Sequence, residues 1–196
     1  VPGLTMAKDA NIPVIMTDSY ADFPPQDALF PNYLAFVGPS DRDAGRQMAE
    51  ALFAAIEPAE DGKKYIAVVN GTAGTSVAID RRAGLQDALD ANPDVVVVGE
   101  VDGNFVRDTS QTVFESLWQG NPNVQGVWAA NGGTATGVMA AITNAGKKPG
   151  EDIVVVAMDL NPENVDAVEK GELLFDIGGH WLQGARLALV LLVIFA

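Results

Sequence analysis

The chain has 196 residues, 48% of them apolar, and carries 12 Lys and Arg against 26 Asp and Glu, for a net charge of −14. That length allows one large domain or two small ones with a substantial core, while the acidity argues against binding nucleic acid through phosphate neutralisation or docking on anionic lipid. With no cysteine there is no disulfide framework, thiolate catalysis or Cys-ligated metal.

Leu4–Lys8 opens the chain as a helix fragment whose end is marked by Asn11. Pro13–Asp18 (PVIMTD) predicts a short buried strand, and Ser19–Asn32 a loop rich in Pro and Asp that carries Tyr20, Phe23 and Phe30. Tyr33–Gly38 predicts a second strand. Pro39-Ser40-Asp41 then opens a helix over roughly Arg42–Ile56. Ser40 or Asp41 can cap it, and Asp41 and Asp43 suit the positive end of the helix dipole. Met48, Leu52 and Ile56 fall on one stripe of that helix and predict its buried face.

After the polar connector Glu57–Lys64, strands begin near Tyr65, Val95, Val124 and Ile153 at even spacing. Between them lie the helical stretches Ser76–Ala91, Asp108–Gln119, Thr134–Ala145 and Pro162–Lys170. Strands apolar on both faces, alternating with helices, predict βαβ units and a parallel sheet. The fold class is α/β, doubly wound, with flanking helices. A short strand, Leu173–Ile177, leads into Gly178-Gly179-His180-Trp181 and a terminal helix. The run Leu187–Ala196 holds ten apolar residues, short of the roughly 20 that cross a membrane, so a buried helix is expected there. Both ends read as mid-fold, and a fragment with structure missing at each end is the expectation. Trp118 and Trp128 read as core.

In an open α/β sheet, ligands sit outside the carboxyl ends of the strands. The predicted strands end in Asp18-Ser19, Asn70-Gly71, Asp102-Gly103-Asn104-Phe105, Asn131, Asp159 and Gly179-His180-Trp181, with Arg81 on the helix after Asn70. Carboxylates, amides, a guanidinium and aromatic faces are the inventory for a neutral polyhydroxylated ligand, whose hydroxyls need donors and acceptors and whose ring stacks on an aromatic face. Nucleotide readings fail on spacing: Asn70–Ser76 gives G-x-x-G and neither a dinucleotide fingerprint nor a P-loop. There is no G-x-S-x-G elbow, and a catalytic triad would have to use the lone His180. No compact set of carboxylates stands out as a metal site.

The stretch AGTSVAIDRRAGLQDAL (73–89) resembles the loop–helix region of the type I periplasmic sugar-binding proteins, the ribose-binding-protein group. IPVIMTD (12–18), NPNVQGVWAAN (121–131) and VVVAMDLNPENVDAVEKGEL (154–173) resemble the same family, in its order and at its spacing. DIGGHWLQGA (176–185) is similar to the branch that includes autoinducer-2 receptors. The resemblance implies two α/β lobes joined by crossing segments and closing on a trapped ligand. It assigns 1–40 and 179–196 to a partial N-terminal lobe, whose opening strands would precede Val1, and 41–178 to the C-terminal lobe. It implies a monomeric periplasmic solute-binding protein, not an enzyme and without cofactor, metal, nucleic acid or membrane insertion. Such a protein carries a sugar or sugar-like polyol to an ABC importer permease. The alternatives are a receptor that presents a sugar-like signal to a membrane sensor kinase and the effector core of a sugar-responsive repressor.

The resemblance also implies ligand contacts. Asp18 matches the family's sugar-binding aspartate, Thr75 and Arg81 its loop threonine and helix arginine, Phe105 its aromatic position, Asn131 its strand-end amide and Asp159 its carboxylate. His180 or Trp181 would replace the glutamine that ribose binders place at Gly179. Ser19, Gly132 and Gly179 depart from the ribose pattern, so a ligand other than plain ribose is expected. Each contact has a structural alternative: Asp159 and Asn131 as helix caps, Arg81 as a partner of Asp80, Phe105 as core, Thr75 as a turn residue, His180 as a hinge residue and Trp181 as a hinge cover.

Overall fold

A computed structural model describes residues 2–178, 186–191 and 193 of the chain. The chain divides into two compact units, Val1–Pro39 with Gly179–Ala196, and Ser40–Gly178.

In the first unit, helix α1 (Pro2–Asp9) precedes strands β1 (Val14–Thr17) and β2 (Tyr33–Val37), which pair in parallel. The loop between the strands is tied down by its aromatics. Phe23 stacks on Phe30 and meets Tyr33 edge-on, while Tyr20 meets Phe36 edge-on. Lys8 lies over the Phe30 ring and donates to the Leu29 carbonyl at 2.8 Å. Residues 186–191 are helical. The expectation of a buried terminal helix is corrected here: Ala188 is buried, but Leu187, Leu189 and Val190 are exposed. Among the described residues, no partner covers that face.

The second unit is a five-stranded parallel sheet, ordered β4-β3-β5-β6-β7. Its strands are β3 (Lys64–Asn70), β4 (Val95–Asp102), β5 (Gly126–Ala129), β6 (Val154–Met158) and β7 (Phe175–Ile177). Its helices are α2 (Asp41–Ala55), α3 (Ser76–Ala91), α4 (Arg107–Gly120), α5 (Gly132–Asn144) and α6 (Pro162–Glu169). The chain enters the sheet at β3, between β4 and β5, and the order runs outward from it in both directions, which is the doubly wound pattern.

Residue alternation along the strands feeds two cores, one on each face. Ile66, Val68, Trp128, Val156 and Met158 pack with Met48, Leu52 and Phe53 of α2 and Leu85 of α3. Ala67, Val69, Val127, Ala129 and Val155 pack with Phe114 of α4 and Val138 and Ile142 of α5. Trp128 is fully buried and its indole N–H donates to the Gly45 carbonyl at 3.2 Å. Trp118 is partly buried and stacks on Phe114.

Helices α2 and α3 approach through reciprocal glycines. A Cβ on Gly45 would lie 2.1 Å from the Arg81 carbonyl oxygen, and one on Gly84 would lie 1.9 Å from that of Arg42. Any larger residue would push the helices apart, and with them Arg81. This close crossing brings the start of α2 and the first turns of α3 to the same end of the sheet.

Candidate ligand site at the strand ends

The segments that follow β4, β5 and β6 converge on one guanidinium, carried by α3. Arg81 is 1% exposed. Its Nε donates to Asp41 Oδ1 at 2.8 Å and its Nη1 to the Ala130 carbonyl at 2.7 Å. Nη1 also stands 3.9 Å from Asp159 Oδ1, and the Phe105 ring lies against the guanidinium, 5.9 Å from its carbon to the ring centroid. Nη2 keeps no hydrogen bond to a described residue. Arg81 therefore does not pair with Asp80. Its counter-ion is Asp41, the first residue of α2, which is 4% exposed. An ion pair this deep costs desolvation and persists only because its geometry and added hydrogen bonds are good.

Asp159 follows β6 with φ 134, and Leu160 after it has φ 52. Two successive non-glycine residues in this region mark a backbone held by its surroundings, a feature that clusters at ligand sites. Asp159 does not cap α6: Asn161 does, its side chain accepting the Asn164 N–H at 2.9 Å. Asp159 Oδ2 instead accepts the Gly132 N–H at 3.3 Å, at the start of α5, where the helix dipole favours a negative charge.

Asn131 takes the capping role for α5, its Oδ1 accepting the Thr134 N–H at 2.8 Å. Among the described residues only the acceptor is used, which leaves the Nδ2 donor pair available. The cap also moves the helix start ahead of Thr134, to Gly132. Thr75 caps α3, accepting from Ala78 N–H at 3.3 Å and donating to the Thr72 carbonyl at 2.8 Å. Both functions of its hydroxyl are thereby engaged locally.

Phe105 sits at φ 62, after Asn104 at φ 55. Its ring closes over Gly71, where a Cβ would lie 1.9 Å from the ring's tip. It borders the core beneath α2 and α3 and also reaches Arg81, so it is both core edge and site wall.

The outer rim is different in kind. Asn70 donates to Glu100 Oε1 at 2.6 Å and Arg82 forms a fork to the same carboxylate. Burial pushes the Glu100 carboxyl up, but the Arg82 and Asn70 hydrogen bonds outweigh it and leave the carboxyl below its ordinary value.

Asp176 on β7, absent from the sequence-derived set, stands beside Asp159. Burial pushes its carboxyl up to about 6, against the Asn164 amide and the Leu160 N–H, with the Asp159 charge adding to the rise. Asn164 is fully buried; its amide reaches hydrogen-bond geometry with no described residue, yet its dipole still favours the Asp176 carboxylate. No signal in a three-residue strand singles Asp176 out.

In the other unit, Asp18 directly follows β1, half-buried, with φ 69. His180 and Trp181 lie outside the described residues. Among the described residues, no group of three or more His, Cys, Asp or Glu side chains could hold a metal, and no helix is long and apolar enough to cross a membrane.

In the second unit, the structure thus gathers Arg81, Phe105, Asn131 and Asp159, with Asp41 behind and Asp176 beside them. A fixed guanidinium, an amide donor pair, a carboxylate and an aromatic edge can together bind a neutral molecule rich in hydroxyls.

A family model described as periplasmic binding protein domain matches residues 1–193. The galactofuranose-binding protein YtfQ of Escherichia coli is 31% identical over 87% of this chain and 52% of its own length. The ribose import binding protein RbsB of the same organism is 34% identical over 86% of this chain and 52% of its own. The chain therefore spans about half the length of these relatives. A crystal structure from Mycobacterium smegmatis in complex with β-D-fucofuranose superposes with a TM-score of 0.83 at 32% identity, over 94% of this chain and 59% of that one.

Proposed function

The chain belongs to the periplasmic binding protein family, and from that premise we propose that the full-length protein captures a monosaccharide or related polyol between two lobes and presents it to an ABC importer from the periplasm. The observation that carries this reading is Asp159. Its strained backbone and its place between the Gly132 N–H and buried Arg81 suit a carboxylate held ready for sugar hydroxyls.

Arg81 is the fixed positive wall, Asn131 Nδ2 the amide donor and Phe105 the apolar face. Asp18, directly after β1, is a strand-end carboxylate that the family resemblance assigns to the ligand. Thr75, with its hydroxyl engaged by the α3 cap and the Thr72 carbonyl, is assigned to the site by the family resemblance alone. His180 or Trp181 replaces the glutamine that ribose binders carry at the position of Gly179. The relatives named for galactofuranose and the neighbour holding a fucofuranose support a furanose-ring sugar. The departures at Ser19, Gly132 and Gly179 point away from plain ribose. The protein performs no chemistry on its ligand: differential affinity for the closed state shifts the lobe equilibrium, and the permease reads that closure.

The test is titration calorimetry of the full-length protein with D-galactose, D-fucose, L-arabinose, D-ribose and D-allose. Binding of at least one sugar is expected, with Asp159→Ala weakening it by about 2 kcal/mol through stranded buried partners. Silence across the panel, with tight binding of an amino acid or nucleotide instead, overturns the reading.

A further inference from the structure

We infer that Asp176 is a positioning residue for Asp159: it holds the strained turn that aims the Asp159 carboxylate, without itself touching the sugar. This rests on the reading of Asp159 as a ligand contact.

Positive φ at both Asp159 and Leu160 needs an external hold. Two hydrogen bonds to β7 provide it. The Asp159 N–H donates to the Ile177 carbonyl at 2.9 Å, and the Leu160 N–H donates to Asp176 Oδ2 at 3.1 Å. The first is main chain to main chain and survives any side-chain change. The second depends on one carboxylate. Leu160 is 51% exposed, so its own packing does little to fix the turn.

The sheet explains why the carboxylate arrives there. β6 and β7 pair with Ala157 opposite Asp176 and Met158 opposite Ile177. Alternation then puts the Asp176 side chain on the same face as Ala157 and the residue two beyond it, Asp159. Asp176 rises under α6, beside fully buried Asn164, and meets the Leu160 N–H. The carboxylate is kept there although burial and its neighbour's charge both oppose its ionisation. From the turn, Asp159 Oδ2 reaches Gly132 N–H, a contact in which Asp176 takes no part. That separation makes the inference testable.

The experiment measures amide hydrogen exchange at Gly132 and Leu160, and D-galactose affinity, in the full-length protein with Asp176→Ala, Asp176→Asn, Asp159→Ala and the double Ala variant. Asp176→Ala should speed exchange at Gly132 at least tenfold, although the two residues do not touch. Asp176→Asn, which keeps an acceptor for the Leu160 N–H, should restore protection. D-galactose affinity should fall at least tenfold in Asp176→Ala and no further when Asp159 is already Ala. Unchanged Gly132 exchange in Asp176→Ala, or fully additive losses in the double variant, overturns the inference. If Asp159→Ala leaves D-galactose binding intact, the ligand-contact reading fails, and exchange at Gly132 still decides the positioning role. Should Asp176→Ala express poorly, Asp176→Ser, whose hydroxyl falls short of the Leu160 N–H, takes its place.

Discussion

Arg81 and Arg82 are neighbours on one helix, yet they meet opposite environments. Arg81 turns inward, 2% of its side chain exposed, against an Asp41 side chain that is 3% exposed. Arg82 turns to the rim and pairs with Glu100, the two side chains 29% and 35% exposed. Both contacts measure 2.8 Å. Distance alone would rank them equal. Burial separates them: the inner pair has given up hydration that its remaining partner cannot recover if one member is removed, whereas water and salt replace the outer pair readily. The inner arginine is also the one that meets Asp159, Phe105 and the end of β5, so the costly pair is the pair that shapes the site.

That contrast can be broken by substitution. Arg81→Ala should destabilise the protein by about 3–5 kcal/mol, because it leaves Asp41 charged and buried; urea unfolding reads the loss, and a change near zero would dissolve the contrast. Asn131→Asp separates capping from ligand donation at the same strand ends. It keeps the helix cap but removes the Nδ2 donors, so sugar affinity should fall by about 1–2 kcal/mol while thermal stability holds. Equal falls in both would return Asn131 to a structural role.

Asp176→Asn probes a buried carboxylate that has no arginine of its own. Its folded pKa, about 6, lies above the unfolded carboxylate value of 3.8. The folded state therefore binds the extra proton, and the stability that proton contributes is present below about 4 and lost as pH rises through 6. The Asn variant lacks this loss. It should overtake the natural protein across that window by on the order of 1 kcal/mol, allowing for solvent screening. Parallel stability curves from pH 4 to 7 would contradict the assignment. The smallest effect belongs to the rim: Arg82→Ala should cost about 0.2–1 kcal/mol, fading in high salt, with sugar binding unchanged.

Much of this architecture was legible because it is periodic. Apolar runs at Tyr65, Val95, Val124 and Ile153 marked the strands, and α3 begins and ends where its residues predict. Asn131 and Asp159 stood out as candidates because strand ends in such a sheet face the ligand crevice. The Asp41–Arg81 pair was not, since its members lie 40 residues apart and Asp41 already had a sufficient local explanation at the helix start. Nor was Asp176, whose significance depends on sheet register and on a turn conformation that composition does not encode. Capping by Asn131 was open beside ligand contact, and capping by Thr75 and Asn161 was hidden: all three are residue types that cap helices and bind ligands alike, and only geometry tells which oxygen is already engaged.

The most direct test of the central claim is a crystal structure of the full-length protein with a sugar from the calorimetric panel. Sugar oxygens are expected within about 3.2 Å of an Asp159 carboxylate oxygen and of Asn131 Nδ2, with the ring against Phe105. A sugar bound without contact to Asp159 or Asn131 would contradict it.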